Sequence, residues 1–277
     1  KHILMLIKQD RFQVGGSLKL TSIFKNILYE TSDGVAKITI NKPPLNVLNV
    51  ETIEEITKAL EGANKDNDVM VVVITGSGDR AFCAGVDIKD HLPEKVDKTL
   101  ELFHKMFHVL VDLQKPTVAV VDGFALGGGC EVAMACDMVV ASERAQFGQP
   151  EIKVGAIPTV ASALLPKLIG RKNALELIFT GDTIGAKEAQ QMGLINKVVS
   201  PNKLVEATNE LVNKLKKMSP VVLKLVRQAV YQGLYLDFKK ALNGVTNIYL
   251  NQLMRTEDAV EGLKAFLEKR KPVWKGK

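Results

Sequence analysis

Two glutamates and the glycine-rich segments beside them are the residues of this 277-residue chain that could do acid–base chemistry. Glu131 directly follows the run Gly127–Cys130, and Glu151 closes the segment Phe147–Glu151 twenty residues later. Two carboxylates at one site can divide the work of a general acid and a general base if their surroundings separate their pKa values. Either glutamate could instead complement the start of a helix, and their spacing alone leaves both interpretations open.

The stretch from Val118 to Glu131 resembles an apolar strand, a turn of consecutive glycines and the start of a helix. Glycines let a ligand approach backbone N–H groups closely, and a helix N-terminus offers free N–H donors to an anion. A second small-residue turn, Ala84-Gly85-Val86, could place another N–H opposite that of Gly128. Two such donors form an oxyanion hole. The spacing fits neither a dinucleotide-binding glycine motif nor a P-loop, and glycines that merely serve packing are the alternative.

The order of apolar and polar residues predicts a mixed α/β fold. Alternation around Gly34 indicates a hairpin, and buried strands are predicted at Val69–Ile74 and before Gly123. Helices are predicted at 50–65 and 94–114, and then at 171–179, 185–192, 202–217, 221–233, 237–254 and 257–271. Three hydroxyl side chains lie just before predicted helices and could cap them, namely Thr183, Ser200 and Thr256. Two strand–glycine turn–helix segments indicate repeated β-β-α units in a mostly parallel arrangement.

Composition excludes several functional classes. Charged residues make up 25% of the chain and hydrophobic residues 46%, which is typical of a soluble globular protein, and no run is long enough for a membrane span. Three cysteines without a paired framework predict a reducing compartment, here the cytoplasm. The net charge of +6 is moderate, and aromatic residues at 5% offer few surfaces for stacking bases.

These segments together resemble the enoyl-CoA hydratase/isomerase (crotonase) superfamily from about Asn26 to Trp274. The resemblance is carried by the segments 41–49, 81–89, 123–133, 147–152, 180–182, 186–196 and 265–272. It implies a β-β-α spiral core with a helical C-terminal part, assembled as trimers or dimers of trimers. We therefore predict an N-terminal extension of unknown role at 1–24, a core with the active site at 25–200 and a helical oligomerisation part at 201–277.

The resemblance also implies roles for individual residues. The amides of Val86 and Gly128 would form the oxyanion hole for a thioester carbonyl, while Glu131 would orient water as the base and Glu151 would protonate the substrate carbon. No metal or separate cofactor is implied, because coenzyme A enters as part of the substrate. Residues implied to contact CoA are Pro44, Leu45, Cys83, Ala84, Ile88, Lys89, Phe266 and Lys269. For Lys269 and Arg270, the solvated end of a helix is the alternative.

One segment departs from the common short-chain hydratases, which have a glycine-rich turn where this chain has residues 155–166. This segment, with residues 91–94 and the C-terminal tail, resembles the cyclohexa-1,5-diene-1-carbonyl-CoA hydratases of anaerobic aromatic degradation. The resemblance therefore predicts hydration of a cyclic dienoyl thioester. A general short-chain enoyl-CoA hydratase of β-oxidation is the alternative, and an isomerase is less favoured because both glutamates are present.

Two further interpretations have weaker support from the residues. Some relatives in the superfamily bind RNA through a lysine-lined helix, but the helix predicted at 94–114 mixes lysines with acids, which is typical of a solvated face. His91, His104 and His108 could be imagined as metal ligands or bases. No carboxylate partner is evident in the sequence, so surface or helix-packing roles are favoured.

Overall fold

The computed structural model describes residues 19–20 and 24–277, so the predicted extension at 1–24 lies almost entirely outside the described residues. The strands are β1 (Lys19–Leu20), β2 (Ile27–Ser32), β3 (Val35–Ile40), β4 (Val71–Gly76), β5 (Ala81–Cys83), β6 (Thr117–Val121), β7 (Phe124–Leu126), β8 (Met138–Ser142), β9 (Gln146–Gly148), β10 (Thr183–Gly185) and β11 (Lys197–Val199). The helices are α1 (Val50–Lys65), α2 (Val96–Asp112), α3 (Gly128–Ala135), α4 (Thr159–Leu168), α5 (Arg171–Thr180), α6 (Ala186–Met192), α7 (Leu204–Lys216), α8 (Pro220–Gly233), α9 (Phe238–Asn251) and α10 (Glu257–Leu267). Short 3-10 helices cover Ile88–His91, Pro150–Val154, Pro201–Lys203 and Leu253–Arg255.

The strands form a large sheet and a small sheet. The large sheet has the order β1-β2-β3-β4-β6-β8-β11, with β3, β4, β6, β8 and β11 parallel and β1–β3 antiparallel. The small sheet has the order β10-β9-β7-β5, in which β5, β7 and β9 are parallel and β10 is antiparallel. The predicted hairpin around Gly34 is the β2–β3 pair.

Both faces of the large sheet are covered, which explains why its central strands are continuous apolar runs. Alternate residues of β4 point to opposite sides. Val71 and Val73 pack in a cluster with α7, and Val72 and Ile74 pack in the main core with α1, α2 and α3. β-branched residues fit such doubly buried strands well.

The chain repeats a β-β-α unit three times, and this repetition builds the site. It runs from β4 to β5 and α2, then from β6 to β7 and α3, and then from β8 to β9 and α4. In each unit the first strand joins the large sheet and the second joins the small sheet. The carboxyl ends of β5, β7 and β9 therefore lie side by side, which is where parallel sheets commonly bind ligands.

The predicted helices are present, with differences at their ends. Helix α1 has the predicted bounds, whereas α10 stops at Leu267 because Lys269 has a φ of +54° and Arg270 turns back to pair with Glu261. Thr256 caps α10 by accepting from Ala259 N. The other two predicted caps are wrong: Thr183 pairs in β10, and Ser200 makes no side-chain cap bond.

A buried ionic network fastens α8 to the core. The Arg227 guanidinium donates to the carboxylate of Asp137 at 2.9 Å and to the carbonyls of Leu110 and Val111 at 2.9 and 2.6 Å. Tyr231 OH donates to the same carboxylate at 2.7 Å. A cation here satisfies carbonyls left free at the end of α2 and complements its dipole. This contact sets where the C-terminal helices meet the core.

The predicted division at residue 200 stays a prediction, and α7 packs directly on β4 and β8 of the large sheet. In the part of the chain that the structure describes, no helix combines the length and apolar character required to cross a membrane.

Candidate active site

Three glycines after β7 allow the glycine turn, the segment from Cys83 to Val86 and Glu151 to meet. Gly127 has φ +51° and ψ −127°, and a Cβ on it would lie 2.6 Å from Glu151 Oε1. A Cβ on Gly128 would lie 2.9 Å from Val86 Cγ2, and one on Gly129 would lie 2.1 Å from the carbonyl oxygen of Cys83. A side chain at any of the three positions would displace a neighbour. The glycine turn therefore contacts Glu151 through Gly127 and Val86 through Gly128.

The Val86 turn faces the start of α3. Gly85 has φ +107°, and a Cβ on it would lie 3.7 Å from Gly128 N. Backbone bonds from Leu48 N to Gly85 O and from Asp87 N to Leu48 O, both 2.8 Å, hold this turn in place. Within residues 24–277, neither Val86 N nor Gly128 N donates to a backbone carbonyl. Both N–H groups therefore remain available as donors, and their role as an oxyanion hole stays a prediction.

Glu131 lies in the first turn of α3 and is only 2% exposed. Its Oε1 accepts a hydrogen bond of 2.7 Å from Ala161 N, at the start of α4. Burial raises the pKa of Glu131 to about 7, the nearby Glu151 carboxylate adds to this rise, and the N–H groups of Ala161 and Val160 oppose it. A carboxylate with a pKa near neutrality suits a general base.

Glu151 lies in the 3-10 helix that follows β9 and is half-buried. Burial raises its pKa above the usual value, while His91 lowers it. Its Oε2 is buried and has no hydrogen-bond partner among the described residues. A buried acceptor of this kind is costly unless something occupies it, so its bonding capacity is available to a water molecule or substrate.

We expect Glu131→Gln to stabilise the fold more at alkaline than at acidic pH. With a folded pKa of about 7 and an ordinary value of 4.5, the protonated carboxyl is favoured by folding. The native state therefore loses stability as pH rises from about 4.5 through 7, by up to about 3 kcal/mol. Glutamine does not titrate and keeps an acceptor for Ala161 N.

Denaturant unfolding at pH 4.5 and pH 8 measures this difference. The free energy of unfolding of Glu131→Gln minus that of the parent protein should be larger at pH 8. Glu188→Gln, an exposed glutamate on α6, is the control. An equal difference at both pH values would contradict a raised pKa for Glu131.

The residues in the N-terminal half of the chain that are predicted to contact CoA lie around the Val86 turn. Ala84 N donates to Leu45 O at 3.0 Å, which joins the loop at 41–49 to the turn, and Pro44 is exposed on that loop. Ile88 and Lys89 are exposed just beyond the turn. Cys83 is fully buried with a pKa raised to about 12 by burial, so it supports the turn and offers no surface to a ligand.

Phe266 and Lys269 lie at the end of α10, with Phe266 83% exposed. The main contacts of α10 are with α8 and the 3-10 helix Leu253–Arg255. These contacts do not bring either residue to the Val86 turn within one chain.

Two groups shape the site in ways that the sequence does not reveal. Asn46 has φ +54°, and its Nδ2 donates to the carbonyls of Ser77 and Ala81 at 3.0 and 2.7 Å, which fixes the loop beside the turn. Asn46 is one of three asparagines in the loop at 41–49, and nothing in the sequence distinguishes its structural role from theirs. Ala161 acts through its backbone N–H, so its side-chain type gives no signal at all.

Comparison with known proteins agrees with this fold. A model of the enoyl-CoA hydratase/isomerase family matches residues 30–277. The short-chain-enoyl-CoA hydratase of Clostridium acetobutylicum is 40% identical over 254 residues, covering 89% of this chain and 96% of that protein. The crotonyl-CoA hydratase of Syntrophomonas wolfei is 37% identical over 253 residues, covering 90% and 97%. The crystal structure of an enoyl-CoA hydratase from Bacillus anthracis superposes with a TM-score of 0.87 at 34% identity, covering 91% and 100%.

This chain belongs to the enoyl-CoA hydratase/isomerase family. The predicted crotonase-like α/β fold is confirmed, and so is the predicted enzyme class, a hydro-lyase of the enoyl-CoA hydratase type. The finer resemblance to the cyclic dienoyl-CoA hydratases has no such support, because the two named relatives are a short-chain and a crotonyl-CoA hydratase.

Proposed function

We propose that this enzyme adds water across the α,β double bond of short-chain enoyl-CoA thioesters at the site formed by Glu131, Glu151, Val86 and Gly128. The observation that supports it most directly is the meeting of two raised-pKa carboxylates with two free N–H donors around one glycine turn. Two donors suit the thioester oxygen, which gains negative charge during the addition, and two carboxylates suit a reaction that moves two protons.

Each residue then has a separate task in the addition. The N–H groups of Val86 and Gly128 stabilise the enolate oxygen. Glu131, held by Ala161 N through Oε1, takes a proton from water through its other oxygen as the water oxygen bonds to the β-carbon. Glu151, the carboxyl on the other side of the glycine turn, gives its proton to the α-carbon and is left as the carboxylate. The addition consumes one water molecule and leaves Glu131 protonated and Glu151 ionised. Transfer of one proton from Glu131 to Glu151 then restores the starting state.

A short linear acyl group is the substrate that the relatives favour. The proteins from Clostridium acetobutylicum and Syntrophomonas wolfei are named as short-chain and crotonyl-CoA hydratases, which supports the alternative interpretation over the cyclic diene. The segment at 155–166, whose departure suggested a cyclic substrate, contains the 2.7 Å donor to Glu131 and most of helix α4. Its sequence therefore has a role in holding the base whichever acyl group is bound.

A panel of thioesters tests this specificity. We expect kcat/KM for crotonyl-CoA to exceed that for cyclohexa-1,5-diene-1-carbonyl-CoA by at least about tenfold, since a shape mismatch in an acyl pocket commonly changes the rate by this amount. Purified enzyme is assayed by hydration of each thioester, with the Glu151→Gln variant as the background control. A preference for the cyclic diene would reverse the proposal. Turnover of neither, in the parent protein, would refute hydration itself.

The CoA contacts and the assembly are part of the same proposal. We infer that Pro44, Ile88 and Lys89, which are exposed beside the Val86 turn, contact the CoA moiety. Helices α8 and α9 carry many exposed apolar side chains, among them Phe238 at 78%. Surfaces of this kind commonly pack against another subunit, which supports a homotrimer or dimer of trimers in which Phe266 and Lys269 reach a neighbouring chain's CoA.

A further inference from the structure

A hydrogen bond joins the start of α4 to the carboxylate of Glu131. Helix α4 begins at Thr159 directly after Pro158, and Pro158 provides no side-chain cap. The first N–H groups of a helix need acceptors from elsewhere. Glu131 supplies one from another helix by accepting from Ala161 N at 2.7 Å. The position of this first turn therefore determines where the carboxylate points.

A second side chain restrains the same turn from outside. His104 Nε2 on α2 and Thr159 Oγ1 share a hydrogen bond of 2.9 Å across 55 residues of chain. The preceding residue, Phe103, lies against the oxyanion turn, since a Cβ on Gly128 would lie 3.1 Å from Phe103 Cζ. Two successive residues of α2 thus touch the proposed oxyanion turn and the helix start that holds the base.

We propose that His104 is a positioning residue for hydration, because it holds Thr159 and thereby keeps Ala161 N–H aligned with Glu131. The inference rests on the proposed function, since it takes Glu131 as the base. A helix start without a side-chain cap is mobile unless it is held from outside. Displacement of a reacting group by an ångström lowers a rate by as much as about a hundredfold.

The same hydrogen bond gives the segment at 155–166 a contact with α2. In this chain Thr159 supplies a hydroxyl, and His104 is the side chain that meets it. Neither residue contributes an atom to the proposed reaction, so their effect on the rate passes through Glu131.

A mutant cycle between the two residues tests the proposal. The variants are His104→Leu, Thr159→Val and the double variant, assayed with the thioester preferred in the panel. We expect each to lower kcat about tenfold with KM within about twofold, and the double variant to be no worse than either single one. Thr159→Ser keeps the hydroxyl and should restore kcat. His108→Leu, one turn further along α2 and exposed, is the matched control.

Thermal unfolding of every variant separates positioning from general stability. Unchanged melting temperatures with lowered kcat support the proposal. Additive losses in the double variant, a Thr159→Ser variant as slow as Thr159→Val, or kcat values that fall only in step with melting temperature would overturn it. Glu131→Gln is assayed alongside. If that variant retains full activity, the proposed function itself fails; if it is inactive while the His104 and Thr159 variants are normal, only the positioning role is wrong.

Discussion

Glu131→Gln and Glu151→Gln should each lower kcat for hydration by about 10²–10⁴-fold, the usual contribution of a positioned acid or base. Glutamine keeps the size of glutamate and, at position 131, an acceptor for Ala161 N, so the change removes proton transfer with little effect on packing. We expect KM for the thioester to change much less than kcat, because the oxyanion donors Val86 and Gly128 are untouched. Steady-state hydration kinetics at several pH values measure both quantities.

The pair should act as a unit. A double Glu131→Gln, Glu151→Gln variant should be little slower than the slower single variant, because losing either proton-transfer group already disables the addition. Glu143→Gln, an exposed glutamate before β9, is the control and should retain the parent rate. A single variant at 131 or 151 with more than about half the parent kcat would show that water addition here does not depend on that carboxyl.

Gly127→Ala should lower kcat by about a hundredfold while leaving a folded protein. The φ of +51° with ψ of −127° is strained for alanine, and the added Cβ would lie 2.6 Å from Glu151 Oε1. The Glu151 side chain would have to move. Displacement of a reacting acid by about 1 Å can lower kcat by up to about a hundredfold. Hydration kinetics and circular dichroism, measured together, test the expectation.

Gly62→Ala is the matched control for this substitution. Gly62 lies in α1, where a Cβ would meet nothing within 4 Å, and alanine favours a helix interior over glycine by about 1 kcal/mol. This variant should be fully active and slightly more stable. A Gly127→Ala variant that is as active as Gly62→Ala would mean that Glu151 is not fixed against the turn as the structure describes.

Local patterns were enough for much of the secondary structure. Helix α1 and the strand β4 follow from apolar periodicity and from a run of β-branched residues, which act over a few neighbours. Short elements were not predicted in the same way. Strands β5, β7 and β9 have three residues each and are stabilised by pairing with one another. Their own sequences are therefore too short to show a strand pattern.

Residue types and order indicated Glu131, Glu151 and the glycine turns as a candidate site, with helix capping and packing as the alternatives, and the family resemblance then assigned their roles. Only the tertiary structure decided that they meet. The three adjacent strand ends bring together residues from 86 to 151, and burial, which depends on the whole packed core, raises the pKa of Glu131 to about 7. The bond from Ala161 N and the His104–Thr159 contact likewise join residues that are 30 and 55 positions apart, a distance over which no local pattern carries information.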